Sequence, residues 1–477
     1  MSPALTLSII LIYFGVLILI ARLTGRDDDN DSFFLGKRQS PWYVVAFGMV
    51  GASLSGVTFI SVPGWVADGS FSYLQVVLGY VAGYLIIIKV LLPLYYRLQL
   101  TSIYTYLEGR FGPSSYQTGS IFFLISRVIG AAFRLYLVAM VLQLAVFDAL
   151  GLPFALTVAL TILLIWVYTF RGGIKTIIWT DTLQTAFMLA AVFITIYLIQ
   201  KHLVGDAGLV QYLSDSSYSQ IFFWDDWRSS QHFSKQFLSG MFITIVMTGL
   251  DQDMMQKNLS CRNLPDAQKN MFWLALTLVV VNLVFLSLGA LLYDYAEATQ
   301  INFNKPDELF AAVALSGQLG LAVSIFFTIG LIAAAYSSAD SALTALTTAF
   351  CVDILKMKEK SSNTKVRKQV HLGFSVLLML VIIVFEQLND QSVIAELFTA
   401  AGYTYGPLLG LYAFGLFTKI SIKDRWVPLI AIASPFLAYG VRVWVDEAFN
   451  YQMSFEHLIV NGLLTFLGLW MLRKKSA

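Results

Sequence analysis

The sequence predicts an all-α polytopic membrane protein with about 13 transmembrane helices. Of its 477 residues, 57% are hydrophobic and only 13% are charged, about half the charged share of an ordinary soluble domain. Mean hydropathy is +0.71, which excludes a disordered chain. Because one helical span needs about 20 residues, this length accommodates about a dozen spans and no large soluble domain.

Charge and cysteine content exclude several other classes of protein. The net charge is +2, from 31 basic and 29 acidic residues. The chain therefore lacks the excess of positive charge that is typical of nucleic-acid-binding proteins. Two cysteines, Cys261 and Cys351, cannot build a disulfide framework. The four histidines lack metal-ligand spacing, and no phosphate-binding loop motif occurs. We therefore expect neither an enzyme nor an ATP-driven pump, and no organic cofactor.

Apolar runs recur along almost the whole chain and predict the spans. The first run lacks a basic leading region and is too long for a signal peptide, so we expect it to be a span. In order, the predicted helices are 3–21, 42–66, 72–98, 116–147, 152–170, 174–200, 233–256, 271–294, 309–352, 372–388, 392–418, 426–445 and 456–472.

The basic residues between the runs predict the orientation in the membrane. Arg22, Arg26, Lys37 and Arg38 follow the first run, which indicates a cytoplasmic loop and an external N-terminus. The longest predicted outer loop, 203–232, is acidic. We expect a multi-pass protein of the cell inner (plasma) membrane with a cytoplasmic C-terminus, for which a monomer suffices. The later inner loops carry Arg97, Arg110, Arg171, Lys175, Lys257, Arg262, Lys269, Lys356, Lys358, Lys360, Lys365, Arg367, Lys368, Lys419, Lys423, Arg425, Arg473, Lys474 and Lys475.

Two of the predicted spans do not have the composition of plain membrane helices. Three glycines and three hydroxyl residues lie within 47–58, and the stretch 247–253 combines a glycine with two carboxylates. Close helix packing explains the first stretch as well as a break does, whereas a carboxylate such as Asp251 inside a span indicates a functional site. The two stretches are five helices apart, so the second enters from the opposite face. Paired interrupted helices of this kind indicate the binding site of a secondary transporter.

A third group of oxygen-bearing residues lies on one face of the ninth predicted span. Ala334, Ser337, Ser338 and Ser341 follow helical spacing. Hard cations such as sodium prefer oxygen ligands, so this face indicates a sodium site, although a seam of small residues packing against a neighbour would have the same pattern.

Three ionisable residues inside other spans are further candidates. Asp181 is a cation ligand, a proton site or the ion-pair partner of Lys175. Arg127 and Arg134 lie two turns apart on one helix face, where they either pair with membrane acids or bind an anionic substrate.

Several stretches together resemble the sodium/solute symporter family. The resemblance extends over nearly the entire chain and in the family's order. The stretches are 101–112, which ends in Arg-Phe-Gly, 168–181 with its Gly-Gly pair, 249–257 with Gly-Leu-Asp-Gln, 337–354 with its serine pair, and the Gly-Pro at 406–407.

The resemblance implies a LeuT-like fold with two inverted repeats of five helices. An extra N-terminal helix and inner loop would occupy 1–40, the first repeat 41–202, and an outer loop 203–232. The second repeat would occupy 233–419 and two C-terminal helices 420–477.

The same resemblance implies a sodium site between the first broken helix and the ninth span. Its ligands would be the carbonyls of Gly51, Leu54 and Ala334 and the hydroxyls of Ser337 and Ser338.

Some sialic acid carriers of the family have a second sodium site, which would include Asp181 here. Those carriers have a serine where this chain has Ala334, so one ligand is missing. Asp181 therefore stays open as a second cation site or a coupling group.

The substrate is expected to bind between the two breaks. Arg134 stands where sialic acid carriers hold a carboxylate, but the register against Arg127 is open. The predicted substrate residues are Ser53, Ser55, Thr58, Gln75, Arg134 and Asp251.

We therefore expect a sodium-coupled secondary active symporter that imports a small organic solute by alternating access. Proton coupling through Asp181 or Asp251 is the alternative. A channel is disfavoured because it would need a continuous polar stripe across many spans. The family carries sugars, sialic acids, amino acids, carboxylates and vitamins, so the solute stays open at this stage.

Overall fold

The computed structural model describes residues 3–24, 30–204, 208–357, 364–387 and 393–474. This part of the chain is helical almost throughout. Its only extended pairings are two isolated bridges, Ser40 with Cys261 and Ile422 with Arg473. The predicted all-α class is therefore confirmed.

The helices run the length of the described chain and are joined by short connections. Single π-helical turns extend α5, α8, α11 and α15 at Ile87–Leu91, Gln143–Phe147, Ile245–Gly249 and Phe350–Ile354. In chain order the helices are α1 (Pro3–Thr24), α2 (Asn30–Leu35), α3 (Trp42–Ser53), α4 (Gly56–Gly69), α5 (Tyr73–Ile86), α6 (Leu92–Arg97), α7 (Thr105–Arg110), α8 (Pro113–Leu142), α9 (Phe154–Leu203), α10 (Leu209–Asp215), α11 (Phe233–Thr244), α12 (Gln252–Leu259), α13 (Leu264–Thr299), α14 (Leu309–Leu315), α15 (Leu321–Ala349), α16 (Thr364–Glu386), α17 (Val393–Phe417), α18 (Val427–Phe449) and α19 (His457–Met471).

Length and composition identify the helices that can cross a membrane. Seven helical stretches in the described residues are long and apolar enough, or eight when the bent pair Phe233–Gly249 and Gln252–Leu259 counts as one span. Shorter apolar helices add Leu7–Leu23, Trp42–Ser53, Phe154–Val167 and His457–Met471. The chain is thus a multi-pass membrane protein, and the count of 13 stays a prediction.

Two predicted helices have different bounds in the structure. The runs 152–170 and 174–200 lie on one continuous helix of 50 residues, α9, because helical hydrogen bonding continues through the Gly-Gly pair. The run 309–352 is divided into α14 and α15. Gly317 and Gly320 separate them with φ angles of 82° and 86°, a conformation that glycine adopts at little cost and that ends a helix.

Two basic residues that we assigned to cytoplasmic loops are buried. Lys257 and Arg367 are each only 1% exposed. The Arg367 guanidinium lies 4.4 Å from the centre of the Phe33 ring, and Lys257 pairs with a carboxylate described below. A basic residue next to a span satisfies the loop rule equally well when the chain folds it inward. Arg26, Lys358, Lys360 and Lys475 lie outside the described residues, as do the side chains of Arg171 and Lys175.

Both predicted interruptions are present. In the first, the last hydrogen bond of α3 joins Leu54 N to Val50 O at 2.8 Å, and the first of α4 joins Phe59 N to Ser55 O at 3.1 Å. The carbonyl groups of residues 51–54 lie between those two bonds. In the second, the chain bends by 63° between Gly249 and Gln252. Broken spans of this kind expose backbone groups that can bind a solute or an ion.

Glycines bring the first broken helix against α9. A Cβ atom at Gly51 would collide with Thr185 Oγ1, and one at Gly48 would lie 3.2 Å from Asp181 Cβ. Thr185 Oγ1 donates hydrogen bonds to Phe47 O at 3.1 Å and to Asp181 O at 2.7 Å. The small residues thus let α3 approach Asp181 at backbone distance.

Candidate ion and solute sites

A cavity of about 90 Å³ lies between the two breaks. Hydroxyl, phenol, amide and guanidinium groups from six helices face it, which is the composition of a site for a polar solute. Its polar lining residues are Ser53, Ser55, Thr58, Tyr73, Tyr80, Tyr84, Arg127, Arg134, Thr244, Thr248 and Asn282.

Arg127 is held in an ion-pair cluster at the second break. Its side chain is 5% exposed, one guanidinium nitrogen pairs with Asp253, and another lies 3.8 Å from Asp251 Oδ2. Its charge is therefore balanced by two protein carboxylates.

Arg134 differs from Arg127 in its partners. It lines the same cavity and, like Arg127, has a buried Nε without a hydrogen-bond partner. Across the described residues, no hydrogen bond or ion pair joins its guanidinium to another side chain. Of the two arginines whose register was open, Arg134 is the one with a charge available to a ligand.

Asp251, a predicted substrate residue, is fully buried and its carboxylate is engaged on both sides. Oδ1 accepts hydrogen bonds from the backbone N–H groups of Asp253 and Met254 at 2.9 and 3.2 Å and so caps α12. Oδ2 accepts a bond from Tyr405 OH at 2.5 Å and lies near Arg127. Asp251 does not line the cavity, and its contact with a solute stays a prediction.

Gln75, another predicted substrate residue, is directed at the connection between α10 and α11 and at the start of α11. Its Nε2 donates to Gln231 O at 2.9 Å and to Gln236 Oε1 at 3.0 Å, and its Oε1 accepts a bond from Phe223 N at 3.2 Å. The side chain thereby fastens the stretch around Phe223 and Gln231 to α5. Ser53, Ser55, Thr58 and Arg134 are the predicted substrate residues that the structure brings to the cavity.

Two of the predicted sodium residues, Ser337 and Gly51, contact α9. Ser337 Oγ donates a hydrogen bond to Asp181 Oδ1 at 2.7 Å, and Gly51 packs against Asp181 and Thr185. Ser338 is 1% exposed, and its hydroxyl has no hydrogen-bond partner. Because buried hydroxyls are normally satisfied, an unpartnered one on α15, which packs against both α3 and α4, suits a bound cation.

Asp181 has a second partner that the sequence did not indicate. Lys257 Nζ lies 2.7 Å from Asp181 Oδ2, with both side chains 1% exposed. We had considered Lys175 as the ion-pair partner and had assigned Lys257 to a loop. The ion pair connects α12, which follows the second break, to the helix that packs against the first break.

Several lining residues were missed. Asn282 is a lone amide within the apolar run of α13, which is a signal that an intramembrane polar group should be considered. Thr248 precedes Gly249 at the second break and could have been found for the same reason. The three tyrosines at 73, 80 and 84 carry no comparable signal, because aromatic residues in a span usually pack against neighbours.

Comparisons with known proteins agree with this arrangement. The sodium:solute symporter family model matches residues 33–421. A sodium/sialic acid symporter of Aliivibrio fischeri is 26% identical over 96% of this chain and 90% of its own length. Sodium-coupled monocarboxylate transporter 1 of Xenopus laevis is 26% identical over 91% of this chain and 71% of its own length. A solved outward-open, substrate-bound sodium-coupled sialic acid symporter shares the fold, with a TM-score of 0.83 at 19% identity over 99% of both chains.

The fold and the polar cavity between two broken helices are those of a membrane transporter. The chain belongs to the sodium:solute symporter family. It is a sodium-coupled symporter of an organic solute, not an enzyme, and sodium is its coupling ion.

Proposed function

We propose that this symporter imports a small organic anion whose carboxylate binds Arg134, by alternating access. The observation that carries the proposal is the uncompensated guanidinium in the cavity between the breaks. A buried charge without a partner is costly, so a site of this kind gains most from a ligand of opposite charge. Arginine and carboxylate also match geometrically through two parallel hydrogen bonds.

Hydroxyl groups around Arg134 suit the uncharged part of such a solute. Ser53, Ser55 and Thr58 face the cavity, and Ser53 Oγ is buried without a partner. Gln75 and Asp251 remain proposed substrate residues, but their side chains would contact the solute only after a conformational rearrangement of the protein. The two relatives described above are named for acids, sialic acid and monocarboxylates, which supports an anionic substrate here.

Sodium would bind the carbonyls of Gly51, Leu54 and Ala334 and the hydroxyls of Ser337 and Ser338. The unpartnered Ser338 hydroxyl is the support for this assignment. Bound sodium would join the first broken helix to α15 and favour the outward-open arrangement. Coupling then requires only that sodium and solute prefer the same conformation.

The membrane arrangement is part of the proposal. We propose 13 spans with inverted five-helix repeats at 41–202 and 233–419, and the support is that one break falls in each repeat. The protein would lie in the lipid bilayer of the plasma membrane, with the N-terminus of the chain outside and the C-terminus inside. A monomer contains every group that the mechanism uses.

The carboxylate requirement can be tested by thermal stabilisation of the purified protein. Each of a set of small carboxylic acids is compared with its own primary amide, in sodium and in potassium. A ligand that binds the native state raises the melting temperature, so we expect stabilisation by one or more acids, in sodium only, and none by the paired amides. Equal stabilisation by an acid and its amide would contradict the role of Arg134, and equal effects in both salts would contradict sodium coupling.

A further inference from the structure

The buried ion pair of Asp181 and Lys257 lies beside the proposed sodium ligands and is not used by the mechanism above. Lys257 Nζ lies 2.7 Å from Asp181 Oδ2. Asp181 Oδ1 accepts the Ser337 hydroxyl at 2.7 Å. Both carboxylate oxygens therefore have partners within the protein, and the negative charge is balanced by an ammonium group attached to the chain.

Asp181 lies against both broken spans. Gly48 on α3 packs against Asp181, where a Cβ atom would come within 3.2 Å, and Lys257 is part of α12, directly after the second break. Ser337 connects it to α15. A cation at Asp181 thus lies where the two halves of the molecule meet, which is a suitable position for an ion that controls their relative arrangement.

We propose that Lys257 is a tethered cation that takes the place of a second coupling ion at Asp181, so that the protein binds a single sodium. This inference rests on the sodium site proposed above, because Ser337 belongs to both. A serine hydroxyl can donate to a carboxylate and still offer a lone pair to sodium. Asp181 would therefore orient Ser337 toward the ion, and Lys257 would keep a second ion out.

The chemistry of the surrounding groups agrees with a single mobile ion. Ala334, one turn before Ser337 and Ser338 on α15, has no side-chain oxygen. The ammonium is the closest charged group to Asp181 and both side chains are buried. A diffusing sodium would have to displace a lysine ammonium that the covalent tether holds at a high effective concentration, so the lysine is favoured in this competition at ordinary sodium concentrations.

Equilibrium binding of radioactive sodium to the purified full-length protein, without solute, tests the proposal. We expect one bound sodium in the wild type and two in Lys257→Met, which removes the ammonium but keeps the length of the side chain. The matched control is Asp181→Asn with Lys257→Met, in which both charges are removed and one bound sodium is expected. Two sodium ions in the wild type, or one in Lys257→Met, would overturn the proposal.

The single variant Asp181→Asn gives an independent measurement if Lys257→Met does not fold. It leaves the ammonium without a counter-ion next to Ser337, and like charges close together repel strongly in a buried site. We expect sodium affinity to fall by at least about tenfold and to recover in the double variant. An unchanged affinity in Asp181→Asn would overturn the proposal. Because no solute is present, these results are independent of whether the substrate is a carboxylate.

Discussion

Arg127 and Arg134 are the same residue type, two turns apart on one face of α8, and yet their surroundings are opposite. Arg127 contacts Asp251 and Asp253 at the second break. Arg134 also borders the cavity, and both arginines have a buried Nε without a partner, but among the described residues no carboxylate pairs with the Arg134 guanidinium. The charge of the first arginine is balanced by protein carboxylates, whereas that of the second is balanced only when an anion enters the cavity.

The difference shows that the balance of charge, not the residue type, identifies a ligand site inside a membrane protein. An arginine with two carboxylate neighbours is part of the framework, because its removal leaves charges behind. A buried arginine without a carboxylate partner destabilises the protein when the site is empty. A bound anion offsets that loss of stability. The following substitutions test whether Arg127 is part of the framework and Arg134 binds the ligand.

The largest effect on stability is expected for Arg127→Met. The change leaves two carboxylates, on Asp251 and Asp253, buried without their cation, and breaking a buried ion pair from one side costs about 3–5 kcal/mol. We expect a clear fall in the melting temperature of the purified protein, whether or not sodium is present.

The control for this variant is the double change Arg127→Met with Asp253→Asn. It removes the partner that makes the closest contact with Arg127, so part of the lost stability should return. If Arg127→Met were as stable as the wild type, the arginine would not be a framework residue, and the proposed division between the two arginines would be wrong.

Arg134→Met should have the opposite profile. The variant should fold as well as the wild type, because no protein group loses a partner. Removal of one member of a buried charge pair costs about 2–5 kcal/mol in affinity, or about 30-fold or more. We expect uptake of the solute into proteoliposomes to fall by that factor, and we expect sodium binding to be retained.

Arg134→Lys is the matched control for the binding geometry. Lysine keeps the charge but loses the planar pair of donors, so its uptake should lie between those of the wild type and Arg134→Met. Full uptake by Arg134→Met would show that the solute is held by other groups.

Much of the architecture could be predicted from the sequence, because its causes are local. The helices follow from long apolar runs, and the breaks follow from glycines, hydroxyls and carboxylates at positions where a plain span has none. The oxygen-bearing face of Ser337 and Ser338 follows from helical spacing alone. Each of these features requires only the residues within a few turns.

The distribution of charge partners could not be predicted, since it depends on contacts between distant segments. Arg127 meets a carboxylate more than a hundred positions away, and Lys257 meets Asp181 at a sequence separation of 76. A basic residue just beyond a span has the same local pattern whether it faces the cytoplasm or turns inward. The partners of Gln75 could not be predicted for the same reason, because they lie about 150 positions away, at Phe223 and Gln231.

The smallest expected effect concerns Ser53, which shares the cavity with Arg134. Its hydroxyl is buried without a protein partner, so Ser53→Ala removes no internal hydrogen bond and should leave the melting temperature unchanged. A neutral hydrogen bond to the solute contributes about 0.5–1.5 kcal/mol. Its loss corresponds to an increase in the apparent KM for uptake of about two- to twelvefold.

Thr185→Val is the control, because the Thr185 hydroxyl is bonded to the carbonyl oxygens of Phe47 and Asp181 and its loss should lower stability. If Ser53→Ala instead lowered stability and left the KM unchanged, the Ser53 hydroxyl would belong to the framework. Arg134 would then be the only one of these two residues whose lack of a protein partner indicates contact with the solute.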